Sequence, residues 1–403
     1  METRFARSTG PGVRGRSHRA ASIALLWLAA ALAGCRDVQI GGAEGGPTPG
    51  ESEAAAAGPA VEQDAPERAT PEEPGRDHVL DRAADRPRTT GLDSALLAAA
   101  LDRADSLPRL RCLLVARHGA TQVERCRDGQ GPDRYANVKS VSKSVLSALV
   151  GLAISDGHLD GVDQAAAPLL GADRDTLDPA KAAITIGHLL SMQSGLERTS
   201  GRNYGAWVSS SDWVRDALRR PMVAEPGGRM LYSTGNYHLL SAILTRVTGR
   251  STHAFARSRL GDPLGISIPR WLADPQGIYF GGNEMRLTPR DMLRFGELYR
   301  NEGRHAGRII VPSDWVRRSL LPRTRSPWSG EEYGYGWFLG SAGRYPMFYA
   351  WGYGGQFIFV VPDLELTVVT TSDPAVPRGG SHLRDIHEML DRWIVPAAER
   401  GGS

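Results

Sequence analysis

The sequence predicts an α+β fold, with antiparallel strand pairs and helices in separate stretches of the chain. Two pairs of β-rich runs flank tight turn signals, "LRCLLVARHGATQVERCRDG" at 110–129 and "FIFVVPDLELTVV" at 357–369, and strands joined so closely run antiparallel. Apolar residues at helical spacing fill other intervals, at 91–105, 139–157 and 381–395. With 403 residues, 41% hydrophobic and 23% charged, the chain has enough apolar material for a substantial core, in one large domain or two small ones.

The first 35 residues have a different purpose. Arg4, Arg7, Arg14, Arg16 and Arg19 precede the apolar run "AASIALLWLAAALAGC", the layout of an export signal. The run from Ala20 to Ala33 is short for a bilayer-spanning helix, which needs about 20 apolar residues. Its end, Leu32-Ala33-Gly34-Cys35, resembles the bacterial lipobox, which implies an acylated Cys35 as the new N-terminus and a membrane-anchored lipoprotein of the cell envelope. Residues 36–90 are rich in Gly, Pro, Ala and Glu and hold no aromatic residue, so they bury too little apolar surface to offset ordering and read as a disordered tether. The folded domain is expected over 91–398.

That domain opens with "GLDSALLAAALDRAD", where Asp93 is placed to cap a helix. In the hairpin that follows, a loop at 118–120 sets Cys112 opposite Cys126, which would be either a disulfide of an exported chain or two inert thiols. At the other end, "SHLRDIHEMLDRWIV" reads as a closing helix on the sheet.

The segment "YANVKSVSKSVLSALVG" holds Lys139 and Lys143, two of only three lysines among 48 Lys+Arg. Helical periodicity starting near Ser140 puts Ser140 and Lys143 one turn apart on one side. A guanidinium stays protonated and cannot accept a proton from serine, whereas a desolvated lysine can, so Lys at 143 fits a demand for a titratable amine. A serine at a helix N-terminus also meets N–H groups able to hold an oxyanion. Ser142 and Ser144 are the alternatives should the helix begin elsewhere, and Lys139 is expected to be a surface cation.

Several functions are excluded or weakened. A net charge of +3 gives no general case for nucleic acid binding. No C-x-x-C pair or His/Cys cluster implies a metal, and the glycines at 352, 354 and 355 lack the strand–turn–helix context of a phosphate loop, so no cofactor is implied. No G-x-S-x-G elbow is present, and Ser211-Asp212 lacks a following Asn and reads as a helix cap. His188, His238 and His382 are isolated and read as structural.

"NVKSVSKSVLSALVGLAISDG" resembles the active-site helix of the penicillin-recognising serine hydrolases, the superfamily of class C β-lactamases, D-Ala-D-Ala carboxypeptidases, β-lactamase-fold esterases and nylon-oligomer hydrolases. The likeness continues through "ITIGHLLSMQSGL", "PGGRMLYSTGNYHLLSAILTRVTG", "RLTPRDMLRFGELYRNEG" and "AWGYGGQFIFVVPDLELTVVTTSD". It implies the β-lactamase/transpeptidase-like fold, an antiparallel sheet flanked by helices plus a mostly helical subdomain. It implies Ser140 as nucleophile, with Lys143 and Tyr232 as the proton-transfer pair. The third position of the family's Y-x-N element is Thr234 rather than Asn, which weakens a β-lactamase assignment; similar YSSG forms occur in the nylon-oligomer group and related esterases. Ala350-Trp351-Gly352 stands in the place of the K-T-G triplet, which assigns the oxyanion hole to the N–H groups of Ser140 and Tyr353 and leaves no cation to attract a substrate carboxylate. Tyr204, Trp351, Gly352 and Gly354 are expected to line the substrate site.

The expected protein is thus an exported, lipid-anchored serine hydrolase cleaving a small carboxylic ester or linear amide through an acyl-enzyme on Ser140. A β-lactamase or D-Ala-D-Ala carboxypeptidase is the first alternative, and a non-catalytic envelope lipoprotein that binds ligands is the second. Nothing in the sequence specifies an oligomeric state.

Overall fold

The computed structural model describes residues 91–127, 129, 131–172, 178–375 and 381–401. Cys35, the export signal and the 36–90 tether lie outside the described residues.

β1 (Leu110–Arg117) and β2 (Ala120–Cys126) form the expected hairpin. His118 and Gly119 take φ values of 53° and 77°, the pair of positive values that a two-residue turn matched to strand twist requires. The register sets Cys112 against Cys126, and the two are joined as a disulfide. Two short ladders follow, β3 (Ala136–Asn137) with β4 (Arg286–Leu287), and β5 (Arg304–His305) with β6 (Arg308–Ile309). The C-terminal part supplies β7 (Thr324–Arg325), β8 (Glu332–Tyr333), β9 (Phe338–Ala342), β10 (Tyr345–Gly352), β11 (Gln356–Val361) and β12 (Leu366–Ser372). The large sheet runs β2-β1-β12-β11-β10-β9-β8-β7, with antiparallel pairing at each step. The last strand starts at Leu366, because Pro362–Leu364 forms a 3-10 turn and Glu365 is left-handed at φ 47°.

Strand alternation sorts the side chains of the sheet onto two faces. Phe357 and Phe359 point to the face covered by the terminal helices, where they meet His387 edge-on at 5.2 and 5.1 Å. Those helices are Ser94–Ser106, capped by Asp93, then His382–Met389, a π-helical stretch Leu390–Ile394, and Val395–Arg400. They are tied together where the Asp93 N–H donates to Ala397 O at 2.9 Å. Ile358 and Thr367 point to the other face and press on Gly296 of helix Pro289–Arg300.

Between β2 and β7 the chain builds the helical region. Its axis is the helix Ser142–Ser155, buried on every side from Ser142 to Ala153, polar residues Lys143, Ser144 and Ser147 included. Helix Thr234–Thr248 packs against it and ends at Gly249, left-handed at φ 66°. Asp212 caps Trp213–Arg219 through the Arg215 N–H at 2.8 Å, as expected for the Ser211-Asp212 pair. The result is an α+β fold of the expected type, a large antiparallel sheet flanked by helices with a helical region at one side.

Candidate active site

The site is assembled where the N-terminus of the buried helix meets the end of β10. The helix is preceded by a 3-10 turn, Lys139–Val141, so Ser140 sits in that turn, two residues before the regular helix. Lys143 is still one turn on, and its Nζ lies 2.9 Å from Ser140 Oγ. Two further oxygens surround the amine, Gly282 O at 2.6 Å and Thr234 Oγ1 at 3.5 Å. No carboxylate is among these partners, and burial pushes the Lys143 amine down to about 7. A neutral amine has two hydrogens and one lone pair. With Gly282 and Thr234 accepting the hydrogens, the lone pair is left for the Ser140 hydroxyl.

Ser142 and Ser144, the alternative nucleophiles, are committed to backbone carbonyls. Ser142 Oγ donates to Lys139 O at 2.6 Å and Ser144 Oγ to Gly336 O at 2.6 Å.

Tyr232 lies just before helix Thr234–Thr248, and the Ser140 side chain beside its phenol opposes, in part, the upward push of burial on it. Burial holds the phenol up at about 12, so it is a neutral donor at physiological pH. Lys143 Nζ lies 5.1 Å from the centre of its ring. Thr234 is anchored from the loop before it, accepting or donating to Ser200 Oγ at 3.0 Å while its N–H donates to the same oxygen at 2.9 Å.

The carbonyl that meets Lys143 was not singled out from the sequence. The ladder of β3 and β4 carries the segment 282–285 across to the nucleophile turn, where the Val138 N–H donates to Met285 O at 3.0 Å. Gly282 has φ 76°, and a Cβ there would stand 2.9 Å from Lys143 Cγ, so only glycine fits. Behind it lies a fully buried pair, His238 Nε2 to Asp274 Oδ2 at 2.9 Å. His238 Nδ1 accepts the Gly281 N–H at 3.3 Å, which places the ring proton on Nε2 and fixes the tautomer. The consecutive glycines Gly281-Gly282 were the available signal.

Lys139 is not a surface cation. Its Nζ pairs with Glu284 Oε1 at 2.8 Å, Asn137 Nδ2 donates to Glu284 Oε2 at 2.5 Å, and the Lys139 N–H donates to Asn137 Oδ1 at 3.1 Å. Lys139 and Glu284 are both non-glycine residues at positive φ, 51° and 60°, so this half-buried clamp holds two strained backbone positions beside Ser140.

The substrate-side expectations divide. Tyr204 is linked to the site through Asn283, whose Nδ2 donates to the Tyr204 hydroxyl at 2.8 Å immediately after Gly282. Burial raises the Tyr204 phenol to about 12, and its ring stacks on Phe280. Trp351 is corrected. Its ring lies parallel to Phe357 at 6.0 Å and beside Phe338 at 5.6 Å, on the terminal-helix face, because alternation along β10 turns it away from the face of Gly352. Gly354 is corrected too, since a Cβ there would meet Pro374 at 2.9 Å, in the turn beyond β10 and not beside Ser140. Gly352 acts through the backbone: a Cβ would stand 2.3 Å from Val138 O, so its absence lets β10 close on the nucleophile turn. Tyr353, the expected second oxyanion donor, follows at once in the turn Gly352–Gly355. His188 and His382 are structural, one in a capping box with Thr185 and the other bonded to Ser372 Oγ at 3.0 Å. Among the described residues no group of three His, Cys, Asp or Glu side chains is arranged to hold a metal ion.

A serine on a desolvated lysine at a helix N-terminus, with a buried tyrosine and the end of an inner strand of an antiparallel sheet beside it, defines a serine hydrolase of the β-lactamase and penicillin-binding class. The Beta-lactamase family model matches residues 113–388, and the chain belongs to that family. It is 24% identical over 240 residues to the 6-aminohexanoate-dimer hydrolase of Paenarthrobacter ureafaciens, a match spanning 54% of this chain and only 59% of that enzyme. Among solved structures, a proposed 6-aminohexanoate-dimer hydrolase from Bacillus anthracis superposes with a TM-score of 0.62 at 21% identity, covering 75% of this chain and 81% of that one. A proposed beta-lactamase from Bacteroides dorei superposes with a TM-score of 0.63 at 17% identity, covering 76% and 99%.

Proposed function

We propose that the chain hydrolyses a carboxylic ester or linear amide through an acyl-enzyme on Ser140. The observation that carries this is Lys143 Nζ at 2.9 Å from Ser140 Oγ, in a setting that brings its amine down to about 7. In the proposed cycle the neutral Lys143 amine takes the Ser140 proton as Oγ attacks the carbonyl carbon. The resulting oxyanion is held by the N–H groups of Ser140 and Tyr353. The Tyr232 phenol gives its proton to the leaving oxygen or nitrogen and regains one from the Lys143 ammonium, and the bond to the leaving group breaks. Water then attacks the acyl carbon, its proton passing to Lys143, and Ser140 leaves with a proton returned. Ala350, where the resembled triplet has a cation, favours esters and linear amides over β-lactams. Location in the cell envelope through an acylated Cys35 is part of the same proposal and rests on residues 1–35.

The test is intact mass after fluorophosphonate treatment of the full chain, with turnover of p-nitrophenyl esters, 6-aminohexanoate dimer and nitrocefin. One adduct and turnover in the wild type, both absent in Ser140→Ala, are expected. Labelling that persists in Ser140→Ala would remove Ser140 as nucleophile, and wild type inert to every reagent would leave a ligand-binding lipoprotein.

A further inference from the structure

We propose that Arg198 and Trp328 form a subsite at the mouth of the cleft that recognises a carboxylate on the leaving group. The proposal rests on Ser140 and Tyr232 acting as described above.

Two loops distant in sequence meet here. The loop carrying Arg198 is fixed on both sides, with the Thr199 N–H donating to Ser233 Oγ at 3.0 Å, Ser200 Oγ bonded to Thr234 Oγ1 at 3.0 Å, and Asn203 Nδ2 donating to Arg198 O at 3.0 Å. Trp328 lies on the turn between β7 and β8, where Ser326 Oγ accepts the N–H groups of Trp328 and Ser329 at 3.4 and 3.2 Å. The Arg198 guanidinium rests over the Trp328 ring, 5.8 Å from its centre. Trp328 in turn meets Tyr232 edge-on at 6.0 Å, so the pair borders the catalytic phenol directly.

The electrostatics is what suggests a ligand. Among the described residues no carboxylate pairs with the Arg198 guanidinium, although the neighbouring Glu197 takes Arg220 at 3.5 Å. Stacking on an aromatic face uses the plane of a guanidinium and leaves its N–H edge for an incoming group, and the fork of that edge matches a carboxylate. Trp328, 41% exposed, offers an apolar wall to the stem that would carry such a group. Because Tyr232 protonates the leaving atom in the proposed cycle, a group beyond Tyr232 belongs to the leaving half of the substrate. The cation that Ala350 does not supply on β10 comes instead from the loop that carries Ser200. Hydroxy or amino acids acylated on the oxygen or nitrogen remote from their carboxylate are the class that fits.

The experiment compares 4-acetoxybenzoate with its methyl ester on the full chain, in wild type, Arg198→Gln and Arg198→Lys. The ratio of the two kcat/KM values cancels effects common to both substrates. It is expected to fall about tenfold or more in Arg198→Gln, mainly through KM of the carboxylate, with partial recovery in Arg198→Lys; an unchanged ratio overturns the subsite. Absence of turnover and of fluorophosphonate labelling in wild type would instead be a failure of the hydrolase reading. The subsite is then read by calorimetry of 4-hydroxybenzoate binding to Ser140→Ala with and without Arg198→Gln, where binding lost with Arg198 supports it and equal binding refutes it.

Discussion

Lys143 and Lys139 stand four residues apart in a chain that otherwise writes nearly every cation as arginine, and they do different things. Lys139 is paired with Glu284 and acts as a clamp on strained backbone, while Lys143 has no carboxylate partner among the described residues and loses its charge advantage to burial. The sign of the consequence follows from that depression. Below about pH 7 Lys143 is an ammonium and cannot accept the Ser140 proton, and above it the amine is free. The acylation rate, kcat/KM for a p-nitrophenyl ester, is therefore expected to rise with pH through a midpoint near 7. A limb near pH 4 or near pH 10 would show that another group controls the step. Lys143→Arg keeps a cation at the site but no base, and is expected to lower kcat/KM by about 10²–10⁴-fold.

Elements matter through what they carry to the nucleophile. The β3–β4 ladder is two residues on each side, yet it brings Gly282 to Lys143 across a long stretch of sequence. The turn that follows Leu272 is organised by Asp274, whose Oδ1 accepts the N–H groups of Gln276 and Ile278 at 2.9 and 2.8 Å and whose Oδ2 takes His238. His238 then holds Gly281. His238→Gln is expected to keep the fold, checked by thermal unfolding, and to lower kcat/KM by about ten- to a hundredfold, since a small misplacement of the Gly282 carbonyl misdirects the Lys143 lone pair. Wild-type kcat/KM in a folded His238→Gln variant would reduce this pair to a packing role.

For the whole molecule, the sheet is continuous only because β1 pairs with β12, so the N-terminal hairpin and the C-terminal meander stabilise one another. The Cys112–Cys126 disulfide crosses the edge pair of that sheet and closes a short loop, sequence separation 14. Such a link restricts the unfolded chain, by about 3 kcal/mol for a loop near this length. Replacing both cysteines by serine, or reducing the wild type, is expected to lower Tm by several degrees while leaving the pH midpoint of acylation in place, because β2 lies at the sheet edge remote from β10. An unchanged Tm on reduction would mean that the bond adds nothing to global stability.

Features decided by neighbours in sequence were legible without the structure. Ser140 and Lys143 lie within one helical turn, the His118-Gly119 turn sets Cys112 opposite Cys126, and Asp93 and Asp212 cap the helices they immediately precede. Tyr232 was legible only through family likeness, since no local rule ties a tyrosine more than 80 residues away to Ser140. What remained depended on long-range pairing and on the face of a strand. Trp351 turned from the site because alternation along β10 gives that side to Gly352, the Gly282 carbonyl arrived through the β3–β4 ladder, and Arg198 met Trp328 only when two remote loops closed over Tyr232. The sequence by itself determined the elements and the nucleophile–base spacing, because both are local consequences of backbone periodicity. The tertiary structure alone decided what surrounds them, because burial, lone-pair direction and the stacking of a cation on an aromatic ring are properties of side chains brought together from far apart.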